Sequence, residues 1–225
     1  MVLPLIAIVG LGLAATGAAA YKFNIGGISD KTQQMLKGKR IAVLGGRGVG
    51  KTTLLHFLRT GKIQSSFEQT SIDDYKSFSF KVGNSELHVK GGHDIGGGHF
   101  QHSEWRKQIE ESDIIFYLIN IDKLLNKDTA YINDTKGDLN AIKDAIAEKK
   151  GKTAVFLIIN HADKQSDYSN NRQKFEEKVS RNNLIETAQI ELGGSDHCIV
   201  KIGSLKDEES ANQLLKSILM SYNAG

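Results

Sequence analysis

The segment that most constrains the fold is Gly-Gly-Arg-Gly-Val-Gly-Lys-Thr at residues 45–52. It satisfies the spacing Gly-x-x-x-x-Gly-Lys-Ser/Thr and lies between an apolar run, Arg40–Leu44, and a helix-like stretch, Thr52–Arg59. Glycines allow successive backbone N–H groups to face a phosphate, and the start of a helix favours negative charge. The pattern therefore predicts a phosphate-binding loop. Lys51 would reach the β- and γ-phosphates and Thr52 would bind Mg²⁺, within a loop of Gly45, Arg47, Gly48, Val49, Gly50, Lys51, Thr52 and Thr53.

The rest of the chain alternates strand-like and helix-like stretches. Asp113–Ile121 and Thr153–Asn160 are nearly continuous β-branched and aromatic runs, as is typical of strands that are buried on both faces. Tyr75–Val82, the turn Gly83-Asn84 and Glu86–Lys90 predict an antiparallel hairpin. Repeated strand–helix units predict a three-layer α/β fold. We expect a mostly parallel six-stranded sheet with one antiparallel edge strand and a ligand site at the carboxyl ends of the strands.

Two short segments follow predicted strands and bear on which base the phosphate loop would serve. Asn160-His161-Ala162-Asp163 follows one buried strand, and Ser204-Leu205-Lys206 follows the last predicted strand. With the phosphate loop, these segments resemble the small GTPases, whose corresponding motifs are Asn-Lys-x-Asp and Ser-Ala-Lys. The resemblance implies GTP and GDP as ligands, with Asp163 accepting hydrogen bonds from the guanine edge and Asn160 tying the loop down. His161 departs from the family lysine, and Ser204 and Leu205 complete the expected base site.

The same resemblance extends to the metal and the γ-phosphate. Asp94-Ile95-Gly96-Gly97 resembles the family's Asp-x-x-Gly, in which the aspartate holds Mg²⁺ through water and the second glycine, here Gly97, senses the γ-phosphate. Thr70 resembles the threonine that closes over Mg²⁺. The implied metal residues are Thr52, Thr70 and Asp94.

Within the small GTPases, Thr52–Ile63 and Gln69–Ile72 look most similar to the Arf-type branch and to the β-subunit of the signal-recognition-particle receptor. That receptor subunit also carries an N-terminal membrane span. The small-GTPase matches extend from Arg40 to Tyr222, in the family's order.

The residues that would support hydrolysis depart from the family pattern. Gly98 stands where Ras-like enzymes have a glutamine that orients water, so we expect slow turnover. His99 or His102 could replace it, or both could be polar residues of a loop. Arg47 could stabilise charge in cis or point to solvent. We predict Lys51, Thr70, Gly97 and His99 as the catalytic set.

Four histidines near Asp94 allow an alternative interpretation, in which they bind a transition metal together with Asp94. They have no recognised zinc spacing, and strand alternation would turn several of them apart. The histidines are His88, His93, His99 and His102.

The first twenty residues differ from the rest. Residues 2–20 carry no charge and are long enough to span a bilayer as a helix. A cleaved signal peptide is the alternative, but no lysine or arginine precedes the apolar run. Lysines and an arginine follow it, which predicts a body that faces the cytoplasm. The expected domains are an anchor at 1–21, a linker at 22–38 and a GTP-binding domain at 39–225.

Composition restricts the remaining function classes. The net charge is +3 with dispersed basic residues, so nucleic acid is not an expected partner. The single cysteine, Cys198, excludes an internal disulfide and is expected in the core. Two functions stay open: a membrane-tethered switch that hydrolyses GTP slowly, and a docking module whose bound GTP orders a surface for a protein effector. The lysine- and asparagine-rich stretch Lys164–Asn183 is expected to be a solvated helix face or a partner site.

Overall fold

The computed structural model describes residues 20–64, 74–93 and 99–222. The predictions made for Thr70, Asp94, Gly97 and Gly98, and for nearly all of the apolar run 2–20, concern residues outside these ranges.

Within the described ranges, seven strands form one sheet in the order β1-β4-β5-β2-β7-β8-β9. The β4–β5 pair is the antiparallel hairpin predicted around Gly83-Asn84, and the other neighbours are parallel. A separate two-stranded antiparallel pair joins β3 to β6. The strands are β1 (Tyr21–Phe23), β2 (Arg40–Gly45), β3 (Asp74–Tyr75), β4 (Phe78–Val82), β5 (Ser85–Val89), β6 (Gly92–His93), β7 (Ile114–Asn120), β8 (Ala154–Asn160) and β9 (Cys198–Ile202).

Helices connect the parallel strands, as the strand–helix alternation predicted. They are α1 (Asp30–Leu36), α2 (Lys51–Thr60), α3 (His99–Glu110), α4 (Ile121–Leu125), α5 (Thr129–Glu148), α6 (Ser166–Asn170), α7 (Arg172–Ser180), α8 (Asn183–Glu191) and α9 (Glu208–Met220), with a 3₁₀ turn at Ala162–Lys164. α7 and α8 are separated near Asn182, whose side chain accepts a hydrogen bond from the backbone N–H of Leu184 and so caps α8.

The predicted sheet of six strands was one strand short, and its edge was misassigned. The antiparallel strand β4 is not the edge, because β1 pairs with it in parallel. β1 comes from the segment predicted to be a linker. Its Phe23 side chain is 2% exposed and packs against Phe57 of α2 and Phe80 of β4, at ring-centroid distances of 5.1 and 5.7 Å. Burial of this aromatic side chain is the physical reason that the segment joins the body.

The helix α1 also attaches residues 21–38 to the body. Leu36 is fully buried, and the Gln33 side chain accepts a hydrogen bond from the backbone N–H of Asn84 at 3.1 Å. A Cβ added at Gly83, which has φ +59°, would lie 2.3 Å from that same side-chain oxygen. The hairpin turn therefore needs glycine both for its backbone angle and for the close approach of α1.

The core lies on both faces of β2, β7 and β8. Every residue of β7 is buried, as expected for a central parallel strand. The apolar face of α9 is buried, as are Trp105 and Ile109 of α3. Cys198 is buried, and burial raises the pKa of its thiol to about 12. Among residues 20–64, 74–93 and 99–222, no helix is both long and apolar enough to cross a membrane.

Candidate functional site

The predicted ligand residues converge because the parallel strands end at one edge of the sheet. The phosphate loop follows β2, Asn160 ends β8, and Ser204 and Leu205 follow β9. This edge is where α/β sheets of this type bind ligands. The geometry between these three loops therefore decides whether they form one site.

Two glycines give the phosphate loop its shape. Gly45 and Gly50 have φ values of +143° and +102°, a region that L side chains rarely adopt. A Cβ at Gly45 would lie 2.8 Å from the carbonyl oxygen of Leu118, and one at Gly50 would lie 2.4 Å from Asn160 Nδ2. Glycine is thus required at both positions for conformation and for space. Such a cradle of backbone is suited to the oxygens of a phosphate group.

Lys51 lies in this cradle at the start of α2. Its side chain folds back over the loop, and Nζ donates a hydrogen bond to the carbonyl oxygen of Gly46 at 2.9 Å. The residue is only 8% exposed. A buried ammonium group at the first turn of a helix makes the loop strongly favourable for an anion.

Asn160 joins the phosphate loop to the loop after β9. Its Nδ2 donates to the carbonyl oxygen of Val49 at 2.9 Å, and its Oδ1 accepts from the N–H of Leu205 at 3.1 Å. The residue is 1% exposed, so both bonds are shielded from water. This is the tying role that the sequence indicated for Asn160.

Asp163 and Ser204 form the next part of the site. Ser204 donates its hydroxyl proton to Asp163 Oδ1, while the same hydroxyl oxygen accepts from the N–H of Lys206 at 3.0 Å. The backbone N–H of Ala162 also donates to the carbonyl oxygen of Gly203 at 3.1 Å. The two loops after β8 and β9 are therefore held together, with the Asp163 carboxylate fixed by its neighbour.

A cleft of about 780 Å³ opens over these groups. Its volume is within the range of pockets that hold a nucleotide-sized ligand. The lining brings together residues from three of the predicted segments: Thr53, Ile63, Gln64, Asn160, His161, Asp163, Lys164, Leu205, Lys206, Asp207, Glu208 and Glu209.

His161 adopts a left-handed backbone conformation, with φ +65°, at the wall of this cleft. Its Nε2 lies 3.4 Å from the carbonyl oxygen of Gly48. Because a carbonyl only accepts, this contact requires the proton on Nε2. Burial, with the charge of Lys164 as a second cause, lowers the pKa of the imidazole from its ordinary value. The ring is therefore neutral at pH 7, unlike the lysine of the family motif.

One residue of this site was not recognised in the sequence. Asn120 ends β7 in register with Asn160, caps α4 by accepting from the N–H of Asp122 at 3.0 Å, and approaches the carbonyl oxygen of Gly48 at 3.5 Å. The signal was present, since an asparagine stands near the end of each buried apolar run, Asn120 in the first and Asn160 in the second. A polar residue that closes a strand buried on both faces belongs to the ligand edge of the sheet.

The other predicted residues lie as follows. Arg47 is exposed, while Thr52 is partly buried in the first turn of α2. His99 begins α3, and its side chain is outside the described part. His102 does not line the cleft; its Nε2 lies 2.9 Å from Asp138 Oδ1. His88 is hydrogen-bonded to Ser79 at 2.7 Å, and within the described residues no group of three histidine, cysteine or acidic side chains could hold a metal.

Comparison with protein families agrees with this geometry. The model of the ADP-ribosylation factor family matches residues 25–217, which is most of the chain. The chain belongs to the ADP-ribosylation factor family. Members of this family are small GTPases, which bind and hydrolyse GTP in general. The match starts inside the segment 22–38, consistent with its place in the fold. No curated protein matches the chain, and the narrower likeness to the signal-recognition-particle receptor subunit stays a prediction.

Proposed function

We propose that this protein is a membrane-anchored switch of the ADP-ribosylation factor family that binds GTP and GDP with Mg²⁺ and hydrolyses GTP slowly. The observation that carries the proposal is the position of Asn160, whose two buried hydrogen bonds join the phosphate loop to the loop beside Asp163. One ligand could then contact the cradle at Gly45–Lys51 with its phosphates and Asp163 with its base.

Different residues of this chain would bind the phosphates, the metal ion and the base. The backbone of the phosphate loop and Lys51 would hold the phosphates, and the Thr52 hydroxyl would be a ligand of Mg²⁺, which supplies charge neutralisation when bound. The Asp163 carboxylate would accept hydrogen bonds from guanine, and adenine would leave it without donors. Thr70, Asp94 and Gly97 would complete the metal and γ-phosphate contacts by family resemblance.

The guanine assignment is tested by exchanging Asp163 for asparagine. Asp163→Asn replaces an acceptor with a donor, so the variant should lose GDP affinity and gain affinity for xanthosine diphosphate. Calorimetry with GDP, xanthosine diphosphate and ADP measures the exchange. Equal affinity of the wild-type protein for ADP and GDP would contradict the assignment.

The phosphate assignment is tested by Lys51→Ala and Thr52→Ala. The first should remove most nucleotide affinity, and the second should mainly remove the dependence of affinity on Mg²⁺. Lys150→Ala is the matched control, because Lys150 is exposed before the start of β8, at the opposite edge of the sheet, and its loss should leave nucleotide affinity unchanged. Unchanged GTP affinity in Lys51→Ala would show that the loop is not the phosphate site.

A docking module with little turnover is the second candidate, and Gly98 is the observation that favours it. The side chain that usually orients water is missing at that position, so turnover should not exceed about 10⁻³ per second. Single-turnover hydrolysis separates the two functions, with and without lipid vesicles. Fast turnover by the protein alone, unchanged in His99→Ala, His102→Ala and Arg47→Ala, would contradict the docking module.

The membrane part of the proposal depends on residues 2–20. We expect the protein to fractionate with membranes and its body to face the cytoplasm, where an effector protein would bind the nucleotide-dependent loops. Mass spectrometry of the mature N-terminus tests this, since a chain that begins at Tyr21 would identify the segment as a cleaved signal.

A further inference from the structure

A buried carboxylate lies near the phosphate loop but is not part of the lining of the cleft. Asp138 is in the middle of α5 and is 8% exposed. Its Oδ2 accepts the hydroxyl proton of Tyr117 at 3.0 Å, and its Oδ1 lies 2.9 Å from His102 Nε2. A buried carboxylate costs free energy unless it is well hydrogen-bonded, so a contact of this kind demands a structural or functional reason.

The three residues of this cluster come from three different elements. His102 is in the first turn of α3, Tyr117 is in the central strand β7, and Asp138 is in α5. Tyr117 is paired with Leu44 of β2, immediately before the phosphate loop. The cluster therefore links α3 to β7, the strand next to the one that carries the loop.

Asp138 also lies close to the loop itself. A Cβ added at Gly46 would be 3.9 Å from Asp138 Oδ2. The carbonyl oxygen of Gly46 accepts the hydrogen bond from Lys51 Nζ. A phosphate bound in the loop competes for the same ammonium group, so phosphate binding alters the surroundings of Gly46 next to the carboxylate.

His102 lies on the face of α3 that is otherwise apolar. His102, Trp105 and Ile109 are spaced i, i+3 and i+7, so they lie on one face, and the latter two are buried. The only other ion pair that joins α3 to α5 among the described residues is Arg106–Glu148, in which both side chains are more than half exposed. Exposed ion pairs of this type contribute little to the stability of a protein. The contact from His102 to Asp138 is better shielded from water, because the Asp138 side chain is only 11% exposed.

We propose that Asp138, acting through His102, is a positioning residue that couples occupation of the phosphate loop to the position of α3. The coupling rests on the proposed nucleotide binding. The contact between Asp138 and His102 does not depend on nucleotide binding.

Trp105 provides the readout, because it is the only tryptophan of the chain and packs beside both partners. Its ring lies 5.6 Å from that of His102 and 6.1 Å from that of Tyr117. In the full-length wild-type protein, we expect the Trp105 emission to change when a non-hydrolysable GTP analogue replaces GDP. Asp138→Leu removes the acceptor and leaves His102, which can quench tryptophan, in the sequence.

The Asp138→Leu protein should lose the nucleotide-dependent change in emission, while its GDP dissociation constant stays within about threefold of the wild-type value, which is less than 1 kcal/mol. The matched control is Arg106→Ala, which breaks the exposed α3–α5 pair and should keep the full change. Tyr117→Phe, which leaves the His102 contact in place, should also keep it. Thermal unfolding identifies any variant that fails to fold, and His102→Leu then serves as the second test of the same contact.

Two results would overturn the inference. The first is calorimetric binding of both nucleotides with no difference in Trp105 emission in the wild-type protein. The second is a nucleotide-dependent change in Trp105 emission that stays at the wild-type size in both Asp138→Leu and His102→Leu. If the wild-type protein binds no guanine nucleotide, the proposed function fails and the coupling fails with it. In that case the Trp105 emission of the unliganded protein tests the positioning role. The role requires that Asp138→Leu shifts this emission relative to the wild-type protein and that Arg106→Ala does not.

Discussion

Replacing Asn160 by alanine tests how the site is held together. The change removes the donor to the carbonyl oxygen of Val49 and the acceptor for the N–H of Leu205, and both of these groups are buried. An unsatisfied buried polar group costs about 1–3 kcal/mol, so two of them should lower the free energy of unfolding by about 2–6 kcal/mol. Domain stabilities are only about 5–15 kcal/mol, so the loss is a large fraction of the total.

Asn160→Asp separates the two bonds. The carboxylate keeps an acceptor for Leu205, but it faces the Val49 carbonyl with a second acceptor and adds charge at a position that is 1% exposed. We therefore expect the aspartate variant to be at least as destabilised as the alanine variant at pH 7, because burial of an unpaired charge adds to the lost bond.

The assay is urea unfolding followed by circular dichroism, with the free energy obtained from the midpoint and slope. Asn140→Ala is the matched control, because Asn140 is exposed on α5 and its loss should change stability by no more than about 0.5 kcal/mol. GDP affinity should fall in both Asn160 variants and stay constant in the control. A loss below about 1 kcal/mol in Asn160→Ala, with GDP affinity unchanged, would refute the reasoning.

Two further predictions concern β1 and His161. Phe23→Ala should lower the free energy of unfolding by about 3–5 kcal/mol, whereas Lys22→Ala at the exposed neighbouring position should be close to neutral; equal effects in urea unfolding would mean that β1 is not part of the core. Because the pKa of His161 is lowered in the folded protein, the unfolded chain binds more protons as the pH falls below about 6.5, so stability should decrease from pH 7 towards pH 5. His161→Gln should reduce that decrease, and identical pH slopes for the two proteins would contradict the cause assigned here.

The loops around the ligand edge could be predicted because their spacing is tied to backbone geometry. Glycines at Gly45 and Gly50 report positive φ values and close approaches, and asparagine at the end of a buried strand reports a polar group that must be satisfied. Such signals are local in sequence, so they can be recognised without the fold.

The missed features depend on contacts between distant residues. β1 has only three residues, next to Gly26 and Gly27, and its strand character comes from packing of Phe23 against Phe57 and Phe80. Asp138 resembles any acidic residue of a solvated helix until Tyr117 and His102 are brought next to it. Tertiary contacts of this kind override local composition.

The attachment of β1 also determines how far the body could reach from a bilayer. A free chain over residues 22–38 would extend up to about 58 Å, at roughly 3.4 Å per residue. The strand begins at Tyr21, directly after the apolar run that ends at Ala20, so the spacer between that run and the sheet has almost no length. Under the proposed anchoring, the body would stay close to the bilayer and rotate about the β1 edge, whereas a long flexible linker would let it move freely over the membrane surface. A partner on the same membrane would meet it at a high effective concentration, and from one side only.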